Sequence, residues 1–526
     1  MAVPASWNDQ FPGWRDFLGP AEYRTTFEVP WGWDNSSIAL RFDSVQMTAV
    51  VRCNDIEVGG HHGGHLPFEC DVTSALRPGP NELVVEVDGR LDRQTVPPGQ
   101  VDNWGTTHRP NVGFDFFPYC GIHRHVWLVA RPHDGIDVAH LDPSSDGSLV
   151  ATVHSRLGAG CVRVTVASTT STASLVEGVA IVELRCEGAS PWSPDSPNLH
   201  QVVVELIDTG GAVVDTYPVD IGFRSARIDG DALLLNGEPI TLRGLGRHED
   251  FAVAGRGWVP AVAVNDLELL RWCGANSFRT SHYPYAEETL ELCDRLGILV
   301  LSESPAVGLL WGDGHEEVRR ERWMGQLHEL VERDRNHPSV IAWSIANEPV
   351  SAWGDEAAAD FAAAYQLVHE LDPSRPATHA SAMYLLDETS ALGDFVSLNR
   401  YQGWYVSPGD LDAATEELHN DLEVAHERFG QPVLLSEFGA DTMPGLHSVE
   451  GGMWTEEFQV EFVSRYLDVA ESLDYVIGAH PWNLADFATG QSHTRVGSMN
   501  WKGVFTRDRR PKAAAHMLRD RWGAKE

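Results

Sequence analysis

The chain has 526 residues, 43% of them apolar, and a formal net charge of −37. That length exceeds what one hydrophobic core usually organises, so two to four domains are expected. The charge repels nucleic acid and anionic membrane surfaces over the Debye distance, and no apolar run approaches the roughly 18 residues of a membrane span, so neither is expected as a partner. The start, MAVPASWNDQFPGWRDF, lacks a basic stretch followed by an apolar block and does not read as a signal peptide. Cys53, Cys70, Cys120, Cys161, Cys186, Cys273 and Cys293 are odd in number and scattered, with no CxxC. They read as reduced thiols of a cytoplasmic protein rather than a disulfide framework or a zinc site.

In chain order, residues 1–132 alternate β-formers with turn residues in AEYRTTFEV, SIALRFDSV, TAVVRCND, NELVVEVDG and HVWLVARP, which predicts a jelly-roll β-sandwich. Residues 133–223 repeat the pattern in IDVAHLD, SLVATVHS, CVRVTVAS, AIVELRCE, QVVVELID and VVDTYPVDI, at the spacing of an immunoglobulin-like sandwich. The segment EGASPWSPDSPNLH within it reads as a Pro/Ser-rich loop. From 224 to 526 strands alternate with amphipathic helices. The strands are ITLRGLG, SFRTSHY, ILVLSE, VIAWSIANE, PATHASA, FVSLNRY, VLLSEFG and VIGAHPWNLADF; the helices include AVAVNDLELLRWCG, YAEETLELCDRLG and DEAAADFAAAYQLVHEL. Eight such strands over roughly 300 residues predict a (β/α)8 TIM barrel. The fold class is therefore multidomain β and α/β.

In such a barrel the reactive groups collect at strand C-termini. Glu348, in Asn347-Glu348-Pro349, follows the fourth strand, and Glu437, in Ser436-Glu437-Phe438-Gly439, belongs to the seventh. Breaking a glycosidic bond calls for two carboxyl groups, one to protonate the leaving oxygen and one to meet the oxocarbenium-like carbon. Glu348 is assigned the acid/base role and Glu437 the nucleophile role, retaining configuration if they lie about 5 to 5.5 Å apart. Alone, either glutamate equally fits a loop cap or an arginine partner. Asn347 could bond a sugar hydroxyl beside the reacting carbon, or merely close the turn. His61-His62-Gly63-Gly64-His65 reads as a jelly-roll loop without a ligand set of familiar zinc spacing; no metal and no cofactor is assigned.

NEP, SEFG, RGLGRHEDF, RTSHYPYAEE, RNHPSV, NRYQGWY and PWNLADF, with NDQF, FDFFPYCGIHR and NWKGVFTRDRRPKAAA, resemble glycoside hydrolase family 2 and, within it, its β-glucuronidase branch. The resemblance covers nearly the whole chain. It implies a retaining exo-acting enzyme on small-molecule or oligosaccharide β-glucuronides, working as a homo-oligomer, dimer or tetramer. An Asn-x-Lys motif, here Asn500-Trp501-Lys502, is associated with recognising the sugar carboxylate. At about 4 Å and an effective dielectric of 20 a lysine attracts it by about 4 kcal/mol before desolvation, and a neutral galactoside would leave that cation unpaired. Tyr401 resembles the tyrosine that bonds the nucleophile. Asn399 and Tyr405 resemble contacts near the carboxylate, and Asp115 an acid sent from the jelly roll to bind sugar hydroxyls. His282, Trp482 and Arg495 match a hydroxyl partner, an apolar platform and a second cation.

The chain departs from the pattern in beginning late, which implies a trimmed jelly roll or a misassigned start. It departs also in Gln402 where a second tyrosine is common, and in Met499 and Trp501 where Gly and Lys are usual. Residues 305–328 replace a longer active-site loop of some members, so an open site tolerant of bulky aglycones is expected. The competing readings are β-galacturonidase or β-galactosidase activity, a non-catalytic carbohydrate-binding protein, and a metal-dependent barrel hydrolase, the last without a convincing His/Asp ligand set.

Overall fold

Eight parallel strands close on themselves in sequence order, each registered against the next and the first against the eighth. They are Leu242–Gly246, Ser277–Arg279, Leu299–Glu303, Val340–Asn347, Ala377–Ser381, Val396–Asn399, Val433–Phe438 and Val476–Pro481. Each lies inside the segment expected for it. The computed structural model describes residues 1–104, 107–350, 355–383 and 386–523. All eight residues of the fourth strand and all six of the seventh are buried, as expected of parallel strands covered on both faces. Helices Pro260–Trp272, Glu287–Leu296, Glu316–Asp334, Asp355–Leu371, Leu411–Phe429, Glu456–Glu471 and Ala513–Trp522 cover the outside. The second ends at Gly297 in the left-handed conformation, φ 72°, a helix stop that glycine takes without a Cβ penalty. Of the stretch 305–328, residues 316–328 belong to the third helix, where Trp323 and Leu327 help supply its buried face. No described helix is long and apolar enough to cross a membrane.

In the first sandwich Ala21–Phe27, Asn81–Asp88, Thr48–Cys53 and Ile56–His62 form one antiparallel sheet in that spatial order, and Val126–Arg131, Ser37–Phe42 and Phe68–Asp71 form another. Strict alternation in SIALRF and TAVVRC sends Ile38, Leu40, Phe42, Ala49, Val51 and Cys53 into a shared core, the period-two signature of a half-buried strand. His61 and His62 close the strand Ile56–His62 instead of lying in a loop, and the three histidines diverge. His61 faces Glu329 at 3.4 Å, His62 Thr48 at 2.9 Å, and His65 stacks on Tyr283 at 4.7 Å.

The second sandwich has seven strands, split into three and four and joined only through the pair Val176–Val179. One strand, Thr169–Val176, has no counterpart in the sequence reading; it is a run of Thr and Ser with mostly solvent-facing side chains. The Pro/Ser-rich segment 187–200 is more than a loop. It holds a small hairpin, Trp192–Ser193 against Ser196–Pro197, that buries Trp192 among Leu235, Leu242, Leu299, Leu301 and Leu434 at the barrel's N-terminal end. Trp192 Nε1 donates to the Asp294 carbonyl at 2.8 Å, so one residue seals the barrel floor and fixes the sandwich to it.

Candidate active site

The barrel's open end is where the sequence-nominated groups meet. Pro349 has no N–H, so the ladder of strand four stops at Asn347 and the next side chain is freed. Glu348 sits in the left-handed region at φ 44°, a conformation that costs a non-glycine residue roughly 1–2 kcal/mol, and its N–H donates to the Ala380 carbonyl at 2.8 Å. On strand seven, Gly439 follows Phe438, and a Cβ there would collide with the Trp482 carbonyl. Glycine thus lets strand seven run close to the loop bearing Trp482. Gly246 does the same at the end of strand one, where a Cβ would strike the Trp482 ring.

The two glutamates have different surroundings. Glu437 Oε2 accepts from the Tyr401 hydroxyl at 2.8 Å, and Oε1 accepts from Arg279 Nη2, with His282 Nε2 3.7 Å away. Arg279 Nη1 also reaches Glu303 at 2.6 Å and Asn347 Oδ1 at 3.2 Å. Glu348 has no cation partner among the described residues; its Oε1 accepts from Asn399 Nδ2 at 2.8 Å. Burial first, and then the negative charge of Glu437, push the Glu348 carboxyl above its ordinary value, against the opposing hydrogen bond from Asn399. A pair in which one carboxyl is matched to a guanidinium and the other is biased toward its protonated form is what acid-plus-nucleophile chemistry requires. Burial, reinforced by Glu437, raises the Tyr401 hydroxyl well above its ordinary value, so it stays a donor.

A second pole lies where the loop after strand eight returns to the end of strand seven. Lys502 is buried, 1% exposed, and its Nζ donates to Asp441 Oδ2 at 2.5 Å and to Tyr405 Oη at 2.7 Å, lying 4.7 Å from that ring's centroid. The expectation of an unpaired ammonium is therefore corrected: a buried ammonium is too costly without an anion, and Asp441 supplies one. Arg495 donates through Nε and Nη2 to Asp115 at 2.8 and 2.5 Å, through Nη1 to Asp441 at 3.1 Å, and to Tyr405 Oη at 2.5 Å. Asn500 Nδ2 donates to Asp115 Oδ2 at 2.8 Å. Asp115 reaches this place because the segment carrying it leaves the first sandwich and docks on the barrel: Phe117 N donates to the Ala488 carbonyl at 2.9 Å and Phe116 packs edge-on against Tyr283 at 5.6 Å.

Of the nominated residues, Glu348, Glu437, Tyr401, Asn347, Asn399 and His282 form one hydrogen-bonded group, with Trp482 stacked on His282 at 4.9 Å. Asp115, Tyr405, Arg495, Asn500 and Lys502 form the other. One placement differs from expectation. Asn399, expected near the carboxylate pole, spends its amide protons on Glu348 and Asn347 Oδ1 (3.3 Å), while its oxygen accepts from Ser436 at 2.8 Å. Four site residues were missed by the sequence reading. Arg279 opens the RTSHYPYAEE motif without being given a role, and Glu303 lies within a segment read only as a strand; Glu303 is fully buried and accepts from Arg279, His282 Nδ1 (2.8 Å) and Ser344 (2.7 Å). Arg279 and His282 outweigh the burial that would raise the Glu303 carboxyl and hold it below its ordinary value. His248, beside Trp482 and His282 at ring distances of 5.3 and 5.5 Å, is kept neutral by burial and the cations around it. Asp441 is the fourth. Among the described residues, metal-ligating atoms converge only at Asp43, His125 and Glu288, none of them a member of either group, where Asp43 is already held by Arg41 and Trp127.

A barrel with two carboxyl groups at its open end, one held by a guanidinium and the other by an amide, and fronted by two β-sandwiches, has the architecture of a glycoside hydrolase. The family models agree: "Glycosyl hydrolases family 2, sugar binding domain" matches residues 1–132, "Glycosyl hydrolases family 2" matches 136–224, and "Glycosyl hydrolases family 2, TIM barrel domain" matches 226–525. The chain belongs to glycoside hydrolase family 2. It is 39% identical over 550 residues to a β-glucuronidase of Paenibacillus borealis, covering 99% of this chain and 91% of that protein. Among solved structures, a β-D-glucuronidase of Dictyoglomus thermophilum superposes with a TM-score of 0.92 at 36% identity, covering 100% of this chain and 94% of that one. The β-glucuronidase of Ruminococcus gnavus in complex with D-glucuronic acid gives 0.92 at 36%, covering 99% and 92%.

Proposed function

We propose that this chain is a retaining exo-β-glucuronidase. Glu348 protonates the glycosidic oxygen while Glu437 attacks the anomeric carbon; Glu348, now ionised, then takes a proton from the water that releases the sugar. Arg279 and Tyr401 stabilise Glu437 as the departing carboxylate. Because Asn347 Oδ1 is occupied by Arg279 and Asn399, its amide protons are what remain for a sugar hydroxyl. His282 and Trp482 line the ring's site, and Arg495, Tyr405, Asn500 and Lys502 take the sugar carboxylate, with Asp115 beside them for a hydroxyl. The observation that carries this reading is that Lys502 Nζ, 5.7 Å from the ring centroid of the Tyr401 that bonds Glu437, keeps one N–H unspent after Asp441 and Tyr405, an oriented donor that a neutral sugar would leave without a matching anion. The names of the relatives support it.

A panel of aryl β-glucuronide, β-galacturonide, β-galactoside and β-glucoside tests the substrate, and NMR of the first-formed anomer tests retention. Hydrolysis of the galacturonide above the glucuronide would assign the rival family activity, and hydrolysis of neither uronide would overturn the reading. The division at 132/133 and 223/224 is part of the same proposal, supported by the change of hydrogen-bonded sheet at those points. So is a reducing, cytoplasmic compartment, supported by seven unbridged cysteines. The homo-oligomer belongs to it too, supported by the fully exposed Trp31 and tested by light scattering.

A further inference from the structure

The carboxylate pole holds a residue that neither the sequence motifs nor the reading above uses. Asp441 stands four residues after Glu437 and is 1% exposed. Its Oδ2 accepts from Lys502 Nζ at 2.5 Å and Arg495 Nη1 at 3.1 Å, and its Oδ1 accepts from the Trp501 backbone N–H at 2.8 Å. All three donors come from the 495–502 segment. Beside them, Thr442 N donates to the Trp501 carbonyl at 3.0 Å. One carboxylate thus ties the cation-bearing segment to the strand that carries Glu437.

A proton count shows what this leaves over. Tyr405 Oη accepts from both Lys502 and Arg495, which fills its two lone pairs, so its own O–H must point elsewhere. Lys502 has three protons and spends two, on Asp441 and Tyr405. A tyrosine O–H polarised by two cations and one ammonium N–H remain, side by side, to meet the two oxygens of a carboxylate, while Arg495 keeps one Nη1 proton and Asn500 one Nδ2 proton beyond their bonds to Asp115, Asp441 and Tyr405. Without Asp441 the ammonium would have no anion of its own, and both donors would lose their direction.

We propose that Asp441 is the positioning residue that sets this enzyme's preference for a charged sugar: it fixes Lys502, Arg495 and, through them, the Tyr405 hydroxyl in register with Glu437. It touches no substrate atom in this account. The proposal rests on the glucuronidase reading, so the wild-type substrate panel is run first; failure there counts against that reading and not against this one.

The test compares Asp441→Asn and Asp441→Glu with wild type on aryl β-glucuronide. In parallel, inhibition constants are measured for two probes of the same ring shape, D-glucuronate and D-glucose. Asp441→Asn keeps the shape and loses the charge. The expected result is a fall of about 100-fold in glucuronide kcat/KM, on the scale of breaking a buried ion pair. It is accompanied by a loss of D-glucuronate inhibition of similar size and a change of less than about threefold in D-glucose inhibition. Asp441→Glu restores the charge at a longer reach and recovers at least a tenth of the wild-type preference for D-glucuronate over D-glucose. Equal weakening of both inhibitors in either folded variant would make Asp441 merely structural and overturn the proposal. Unchanged glucuronide kinetics in Asp441→Asn would overturn it as well. If Asp441→Asn does not fold, Asp441→Glu decides: a preference lost along with both inhibitors overturns the proposal, and one retained for the uronate supports it.

Discussion

Replacing Asn399 with alanine should move the alkaline limb of the pH profile upward, although the site loses a polar contact. Asn399 Nδ2 donates to Glu348 Oε1 at 2.8 Å, and this bond favours the ionised carboxylate, opposing the upward push from burial and Glu437. The acid must be protonated to help the leaving group depart, so activity falls as pH rises through the Glu348 titration. A hydrogen bond to an ionised group is worth about 1.5–3 kcal/mol, and a neutral one roughly half as much. The differential loss is therefore about 1 kcal/mol, which at about 1.4 kcal/mol per unit raises the limb by just under one pH unit. The assay is kcat/KM for an aryl glucuronide between pH 4 and 9. The amplitude is expected to drop, but the limb's position does not depend on amplitude. Ser436→Ala, which removes the hydroxyl holding the Asn399 oxygen at 2.8 Å, should move the limb the same way by less. In Glu437→Gln, where the neighbouring negative charge is gone, the Glu348 carboxyl followed by carbon NMR should titrate lower. A limb that stays put or moves to lower pH in Asn399→Ala would refute both the hydrogen-bond argument and the assignment of Glu348 as the acid.

Glu437→Ala should reduce kcat by about 10⁴-fold or more, because the covalent route is lost, and a 2-fluoro glucuronide should label Glu437 in the wild type, as read by peptide mass spectrometry. Glu348→Ala should retain most of its first-step rate on a dinitrophenyl glucuronide, whose leaving group needs no proton, and lose about 10²–10⁴-fold on a methyl glucuronide; azide should then speed turnover by replacing the water that needs a base. Arg279→Lys should cost about 100-fold in kcat with little change in KM, since a single ammonium cannot span Glu303 and Glu437 as the guanidinium does. Lys502→Ala should lose orders of magnitude on the glucuronide. Because it also leaves the buried Asp441 with only the longer contact to Arg495 as a cation partner, it should lower the thermal midpoint as well, which Lys502→Met with Asp441→Asn together should partly restore.

The sequence spoke most clearly where burial leaves a periodic trace. VIAWSIAN and VLLSEF are largely apolar runs that admit a parallel strand, and the carboxyl-bearing residue at each run's end stands out in the sequence. TTSTASLV left no such trace: the strand is held by its neighbour's full ladder while its side chains face water, so hydrogen bonding, invisible in composition, defines it. Trp192 hid in a Pro/Ser-rich stretch for a related reason, since a single buried indole has no period. At the site the same division appears. Glu348 and Glu437 stand at strand ends and are legible as a pair, but Asp441 and Glu303 gain their meaning from partners 61 and 24 residues away. Spacing carries nothing of that kind, because those partners are set by barrel closure and by the return of the chain after strand eight.

The counter-ion changes how the lysine's specificity has to be argued. An exposed cation attracts any anion and is screened by salt, whereas Lys502, Arg495, Asp441 and Asp115 form a compact set of two positive and two negative groups. Its long-range field is therefore small, and against a chain of net charge −37 it cannot draw a uronate from afar. Discrimination must come from short-range donors oriented by a rigid, buried frame, which favours geometry over charge. It follows that raising ionic strength from 0.05 to about 0.5 M should change glucuronide KM by less than about threefold. A fall in affinity of ten-fold or more over that range would mean that free charge, and not the fixed donors of Lys502 and Tyr405, selects the sugar.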